Sequence, residues 1–142
     1  MHGTIVETFT DAPDTAARHV LYEMLGADNS RKSGHAERSD FAVLIKGRPG
    51  GDIIGGLWAV DDCGWAFIDL LYVPEHLQGQ GYGSRLMAAA EAIARRRNLI
   101  GIWTNTYDFQ ARGFYEKQGF VEFGSLEGGP DAAGQSFLKK RF

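Results

Sequence analysis

The feature that most constrains this chain is a glycine-rich turn between an apolar strand pattern and an amphipathic helix pattern. The turn reads Gln78-Gly79-Gln80-Gly81-Tyr82-Gly83-Ser84. Glycines let the backbone turn sharply and let a ligand approach the main chain closely. The helix that follows offers unpaired N–H groups and the positive end of its dipole, which together form an anion site. The turn therefore predicts either a phosphate-bearing ligand or a tight strand-to-helix connection, and the glycines alone leave both open.

Two well-known phosphate loops do not fit this turn. A P-loop requires a Lys-Ser/Thr pair after its last glycine, whereas Gly83 is followed by Ser84-Arg85. The dinucleotide fingerprint requires a third glycine and an acidic residue about 20 positions later. Ser84 occupies the third place, and the next strand pattern ends in Trp103-Thr104-Asn105-Thr106. Neither a nucleoside triphosphatase nor a dinucleotide enzyme is indicated.

Hydrophobic periodicity predicts an α+β fold around one mixed sheet. The predicted strands are Thr4–Phe9, Phe41–Lys46, Ile53–Val60, Trp65–Val73, Ile100–Thr106, Phe120–Ser125 and Ser136–Arg141. The predicted helices are Thr15–Leu25, Gly81–Arg97 and Gln110–Gln118. The polar stretch Gly26–Asp40 predicts a long loop or a loose further helix. We therefore expect about six to seven strands flanked by three to four helices.

Composition sets broad limits on the class of protein. A chain of 142 residues fits one domain, and a net charge of -3 gives no reason to expect a nucleic-acid binder. The single Cys63 cannot form an intramolecular disulfide, and no apolar run is long enough to cross a bilayer. The four histidines share no metal-ligand spacing, so we expect no metal. These features predict a cytoplasmic protein without a membrane partner.

Two motifs resemble those of the GNAT N-acetyltransferase superfamily. The pattern Gln-x-x-Gly-x-Gly, formed by Gln78, Gly81 and Gly83, resembles the acetyl-CoA loop of that family. Downstream, the segment 111–120 contains Tyr115 and resembles the family's second signature, Ala-x-x-x-Tyr-x-x-x-Gly-Phe. The gap between the motifs accommodates one helix and one strand, as the family fold requires. The resemblance implies that residues 1–142 form a single acyl-CoA N-acyltransferase domain.

The resemblance also implies how acetyl-CoA is held, as a cosubstrate that donates its acyl group. The pyrophosphate is expected on the N–H groups from Gly79 to Ser84, with Gln78 nearby. The pantetheine arm is expected to pair with backbone groups at the strand end. A bulge there is expected to free an N–H for the thioester oxygen. The cofactor-binding residues expected are Leu71, Tyr72, Val73, Gln78, Gly79, Gln80, Gly81, Tyr82, Gly83 and Ser84.

Two residues are candidates for proton transfer. Tyr115 occupies the family's general-acid position, where it is expected to stabilise the departing thiolate. An amine near neutral pH must lose a proton, and Asp69 is the first candidate for the base, with Glu75 and Asp108 as alternatives. Strand alternation places Asp69 on one face with Leu71 and Val73. The alternatives are a solvated strand acid at Asp69 and a packed helix tyrosine at Tyr115.

Two departures from the family pattern bear on the site. Asp108 stands where members of the family often have Asn, and an acid there repels phosphates unless it points away or serves the acceptor side. The C-terminal loop has Gly134-Gln135 in place of a Gly-His step found in similar small members. Any role of that histidine cannot be carried over to this chain.

The function that the resemblance implies is transfer of an acetyl group to a primary amine of a small molecule or peptide. The alternative is a non-catalytic acyl-CoA-binding or sensing domain. A donor such as succinyl-CoA is a third possibility. The pattern does not identify the acceptor. Edge strands near the C-terminus are a possible surface for a homodimer.

Overall fold

Local signals at both ends define the helix of the N-terminal part of the chain. A computed structural model describes residues 3–35 and 38–142, and the chain divides into two compact units, Met1–Glu37 and Arg38–Phe142. Helix α1 (Thr15–Ser33) begins after Asp14, whose side chain accepts a hydrogen bond from the Ala16 N–H. It ends at Gly34, which adopts a left-handed conformation with φ 74°.

Two sequence predictions in this unit require correction. The strand predicted at Thr4–Phe9 is not formed, because a strand needs a partner for its N–H and C=O groups and none pairs with it in the described chain. The helix extends to Ser33 instead of ending at Leu25. Asp28 forms ion pairs with Arg31 and Lys32 one helical turn away, so the polar stretch supports a helix.

The second unit is built on one six-stranded sheet in the order β1-β2-β3-β4-β6-β5. The strands are β1 (Ser39–Lys46), β2 (Ile53–Asp62), β3 (Trp65–Tyr72), β4 (Gly101–Tyr107), β5 (Val121–Leu126) and β6 (Gln135–Arg141). Neighbouring strands are antiparallel except for β3 and β4, which are parallel. The expected mixed sheet of an α+β fold is confirmed, with six strands.

Two helices complete this unit. Helix α2 (Tyr82–Arg96) packs on β1, β2, β3 and β4. Its buried face carries Leu86, Met87, Ala90 and Ala94, at helical spacing. Helix α3 (Arg112–Lys117) is short and follows β4. Among the described residues, the helices lack the combination of length and apolarity that crossing a bilayer requires.

The core lies between α2 and the sheet. The side chains that face the helix include Ala59, Ala66, Ile102 and Leu138, all at 0% exposure. Small alanines on both α2 and the strands allow close approach of the helix to the sheet. The amino end of α2 is thereby held beside the carboxyl ends of β3 and β4.

Candidate active site

A cavity of about 760 Å³ opens where the two parallel strands separate. β3 and β4 pair only at Trp65↔Gly101, Ala66↔Ile102 and Phe67↔Trp103. Beyond these pairs, residues 68–73 and 104–107 line the cavity. Separated strands leave backbone N–H and C=O groups without their ladder partners, so the gap offers main-chain hydrogen bonds to a ligand.

A β-bulge shapes the wall formed by β3. Trp58 pairs with Leu70 while Ala59 pairs with Ile68, so Asp69 is the extra residue between the two pairs. A bulge bends the strand and leaves the extra residue unpaired. The expected bulge is present, earlier along the strand than the pantetheine segment that begins at Leu71.

The bulge also changes which side chains share a face. Leu71 packs against the core, whereas Asp69 and Leu70 are exposed. Alternation therefore fails as a guide at this position, and Asp69 does not lie on the core-packed face with Leu71. Asp69 still lines the cavity, and of the described lining residues it alone carries a formal charge.

The glycine-rich turn forms one end of the cavity. Gly79 and Gly81 have φ of 74° and 85°, left-handed values that side chains rarely adopt. Gly81 precedes α2, and no side chain of the described residues caps the helix there. The N–H groups of the first turn therefore remain available to an anion. A Cβ at Gly79 or Gly81 would meet no protein atom within 4 Å, so the space before the turn is open.

Two glutamines tie this turn to the preceding segment. Gln78 Nε2 donates to the Val73 carbonyl at 3.1 Å, and Gln80 Nε2 donates to the His76 carbonyl at 2.9 Å. All the predicted cofactor residues line the cavity except Gln80. The Gln80 side chain is held on the His76 carbonyl, so its observed role is to fix the turn.

Helix α3 is packed closely on the start of α2. A Cβ at Gly83 would lie 2.9 Å from Phe114 Cε1, so this glycine permits the two helices to approach. Ser84 Oγ accepts a hydrogen bond from Gln118 Nε2 at 3.0 Å. These contacts position the helix that carries Tyr115 beside the glycine-rich turn.

Tyr115 is the buried titratable group of the cavity. The residue is 8% exposed, and its ring has edge contacts with Phe114 and Phe120. Burial raises the pKa of Tyr115, while a hydrogen bond with Thr104 acts in the opposite direction. The phenol is therefore protonated at neutral pH and holds a proton inside the cavity.

Thr104 is a site residue that sequence reasoning missed. It is 2% exposed, and its Oγ1 donates to the Ile68 carbonyl at 3.0 Å. Against the larger effect of burial, the same hydroxyl lowers the pKa of Tyr115, the direction expected of a hydrogen bond that favours the phenolate. The available signal was a polar residue at an inward position of β4, where the buried Ile102 and Thr104 alternate with the partly buried Trp103 and Asn105.

The two alternative bases do not line the cavity. Glu75 lies in a single 3₁₀ turn, Glu75–Leu77. Asp108 accepts a hydrogen bond from the Gly134 N–H at 3.0 Å, and its own N–H donates to the Gly134 carbonyl at 3.0 Å. The acid at this position therefore binds the loop before β6 instead of facing a phosphate.

Gln135, the residue that replaces the histidine of the Gly-His step, also has a hydrogen-bond partner. Asn105 Nδ2 donates to Gln135 Oε1 at 3.1 Å, across β4 and β6. Gln135 thus supports a polar residue of the cavity lining. Within the described ranges, no group of three or more His, Cys, Asp or Glu side chains is arranged to hold a metal ion.

The mixed sheet and the cavity at its parallel pair are the architecture of an acyltransferase. The chain matches the model of the acetyltransferase (GNAT) family over residues 4–120, and it belongs to that family. The resemblance drawn from the two sequence motifs is confirmed, and the protein is an acyltransferase enzyme.

Curated relatives are similar over much of the chain. Acetyltransferase Atu2258 from Agrobacterium fabrum strain C58 is 36% identical over 135 residues, which cover 94% of this chain and 96% of that protein. Blasticidin-S acetyltransferase from Streptomyces morookaense is 40% identical over 91 residues, or 63% of this chain and 67% of that protein.

Solved structures share the fold. A candidate acetyltransferase from Agrobacterium tumefaciens superposes with a TM-score of 0.85 at 31% identity, covering 97% of this chain and 100% of that one. A candidate streptothricin acetyltransferase from Bacillus anthracis strain Ames, solved in complex with acetyl coenzyme A, has a TM-score of 0.59 at 27% identity. That match covers 65% of this chain and 58% of the other.

Proposed function

We propose that the protein is an N-acetyltransferase that moves the acetyl group of acetyl-CoA to a primary amine of a small molecule or peptide. The amine attacks directly in a ternary complex, and residues 1–142 act as one acyl-CoA N-acyltransferase domain. The family match at 4–120 spans the boundary between the two units. The observation that carries the proposal is the cavity between β3 and β4, which is lined by both the glycine-rich turn and Tyr115.

The end of the cavity formed by the glycine-rich turn suits the diphosphate of acetyl-CoA. The start of α2 has no side-chain cap among the described residues, a Cβ at Gly79 or Gly81 would meet no protein atom within 4 Å, and a helix start favours negative charge by about 0.3–1 kcal/mol. The complex of acetyl coenzyme A with the Bacillus anthracis neighbour supports the same donor here. When bound, acetyl-CoA supplies a thioester carbonyl that an amine can attack.

Tyr115 is proposed to stabilise the leaving sulfur. Its raised pKa keeps a proton on the phenol oxygen, and a thiol has an ordinary pKa of about 8.5. Complete transfer of the proton from Tyr115 to the thiolate is uphill, so a hydrogen bond from the phenol is the main contribution. When the carbon–sulfur bond breaks, sulfur takes the electron pair and leaves as a thiolate that accepts this hydrogen bond, and it takes up a proton from solvent after release.

Asp69 is proposed to accept the proton of the attacking amine. An ammonium has no lone pair, so its N–H proton must move to a base before the carbon–nitrogen bond forms. The exposed carboxylate of Asp69 lines the cavity and accepts that proton directly or through a water. A main-chain N–H of the bulged segment 69–73 is proposed to bind the carbonyl oxygen as charge develops on it.

The acceptor class follows from the same chemistry. A carboxylate at the cavity attracts a cationic amine, and one relative is named for acetylation of blasticidin S. We therefore place small-molecule amines ahead of peptides. We also propose a cytoplasmic enzyme, consistent with the exposed free thiol of Cys63. A homodimer through the sheet edge formed by β5 remains our proposal for assembly.

The test is release of free thiol from acetyl-CoA in the presence of a panel of primary amines, blasticidin S included. We expect saturable binding of coenzyme A by calorimetry and amine-dependent thiol release. Binding without turnover on any amine favours the sensing domain instead. Absence of saturable affinity for coenzyme A or its acyl esters contradicts both functions. Replacing acetyl-CoA by succinyl-CoA tests the choice of donor.

A further inference from the structure

Two aromatic rings form an exposed stack at the end of β4. The rings of Tyr107 and Phe109 have centroids 5.3 Å apart and an interplanar angle of 4°. Tyr107 is 40% exposed and Phe109 is 75% exposed. Tyr107 also lines the cavity between β3 and β4. The stack therefore continues the cavity wall toward solvent.

The loop that carries these rings is held by its own polar groups. Tyr107 N–H donates to Gln110 Oε1 at 2.9 Å, and Gln110 N–H donates to the Tyr107 carbonyl at 2.9 Å. Asp108, between the two rings in sequence, exchanges two hydrogen bonds with Gly134. The loop is thus preorganised by these hydrogen bonds, and its ring surface is exposed. A preformed surface loses less conformational entropy when a ligand binds.

The charge in the same cavity indicates what kind of ligand the stack takes. Asp69, on the opposite strand, is the charged side chain of the lining. The lining thus offers a cation one anionic group and a flat apolar surface on separate strands. A molecule that satisfies both has a cationic amine and a flat ring, joined by a linking arm.

We propose that Tyr107 and Phe109 form a ring-binding platform for the acceptor, and that the preferred acceptors are primary amines carried on a flat aromatic ring. The proposal rests on the proposed N-acetyltransferase function and names the substrate class of that site. The acceptor ring stacks on the platform while its amine lies toward Asp69. Offset stacking prefers a flat aromatic partner over a saturated ring of similar size.

The experiment compares 3-phenylpropylamine with 3-cyclohexylpropylamine, which share the amine and the arm. We expect kcat/KM for the aromatic amine to exceed that of the saturated amine by about three- to tenfold. Phe109→Leu should bring the ratio close to one, and Phe109→Tyr should retain it. The KM for acetyl-CoA should be the same in all three proteins. Phe123→Leu, at an exposed aromatic of β5 outside the cavity lining, is the matched control and should keep the wild-type ratio.

Binding of the two amines to the protein saturated with coenzyme A, measured by calorimetry, separates this proposal from the proposed function. Turnover with equal kcat/KM for both amines overturns the platform and leaves the transferase function intact. Absence of turnover with ring-dependent binding that Phe109→Leu removes supports the platform and overturns the transferase function. Absence of both turnover and ring-dependent binding overturns both.

Discussion

Two hydroxyl groups on different elements meet at the cavity wall. The Tyr115 phenol on α3 shares a hydrogen bond with Thr104 on β4, and Thr104 in turn donates to the Ile68 carbonyl of β3. These two contacts link β3 and β4 to Tyr115, the residue proposed as the acid. Burial disfavours the phenolate, so the phenol keeps its proton and can donate a hydrogen bond to a departing thiolate.

Replacing Tyr115 with Phe should lower kcat by about 100-fold or more, the contribution typical of a positioned general acid. The Kd for acetyl-CoA should stay within about twofold, because the phenol contributes to the transition state and not to uniform binding of the donor. Thiol-release kinetics and calorimetry check the two quantities. An unchanged kcat would mean that Tyr115 is a packing residue.

The Tyr115→Phe variant also tests the raised pKa of the buried phenol, through the pH dependence of the unfolding free energy. Because the folded-state pKa of Tyr115 is raised, the unfolded chain loses this proton at a lower pH than the folded chain. Above the ordinary value of about 10 the unfolded state therefore binds fewer protons, and stability falls as the pH rises. Tyr115→Phe should show a smaller loss of urea midpoint between pH 8 and pH 11 than the wild type. Tyr72→Phe, at an exposed tyrosine, should behave like the wild type.

Asp69→Asn should lower kcat/KM for the amine by about 100-fold at neutral pH, since the amide cannot accept the proton. The Kd for coenzyme A should not change. Glu75→Gln is the control, because Glu75 follows the same strand but lies outside the cavity lining. Equal losses in the two variants, or a larger loss in Glu75→Gln, would contradict the assignment of Asp69.

At the scale of elements, the site depends on how α2 begins. Its first residue follows a glycine at φ 85° and no side chain of the described residues caps it. The glycine pattern, the preceding strand and the helix were all readable from sequence, because turn chemistry and helical periodicity are local. The bulge at Asp69 was not readable, because it is a property of the register between β2 and β3.

Gly81→Val should weaken binding of coenzyme A by at least tenfold. A β-branched residue is strained at this φ, and its side chain would enter the open space before the turn. The strain should also destabilise the fold by about 1–2 kcal/mol. Calorimetry and urea unfolding measure the two effects. Gly124→Val in β5, at a glycine with open space and no left-handed φ, should leave coenzyme A binding unchanged.

At the scale of the whole molecule, α2 contacts four strands, β1 to β3 on one side of the cavity and β4 on the other. Alanines at 0% exposure on both surfaces leave no room for larger side chains. The position of the anion-binding helix start relative to β3 and β4 therefore depends on how tightly this layer packs.

Ala90→Leu should destabilise the protein by about 1–3 kcal/mol, because the added atoms overpack this contact. Ala88→Leu on the exposed side of the same helix should change stability by less than about 0.5 kcal/mol. Urea unfolding of the two variants gives the comparison. Equal effects would mean that the α2 layer is not closely packed.

The sequence by itself determined the family, the order of strands and helices from Phe41 onward and the glycine-rich helix start, because each is expressed in residues that are neighbours along the chain. Only the tertiary structure decided that residues 4–9 form no strand, that Asp108 binds Gly134 and that Thr104 meets Tyr115. It also decided the bulge at Asp69 and the stack of Tyr107 on Phe109. Strand pairing, the register of the bulge and most of these side-chain contacts depend on partners that are distant in sequence. The rotamers of Tyr107 and Phe109 depend on packing. No local sequence pattern therefore specifies any of these features.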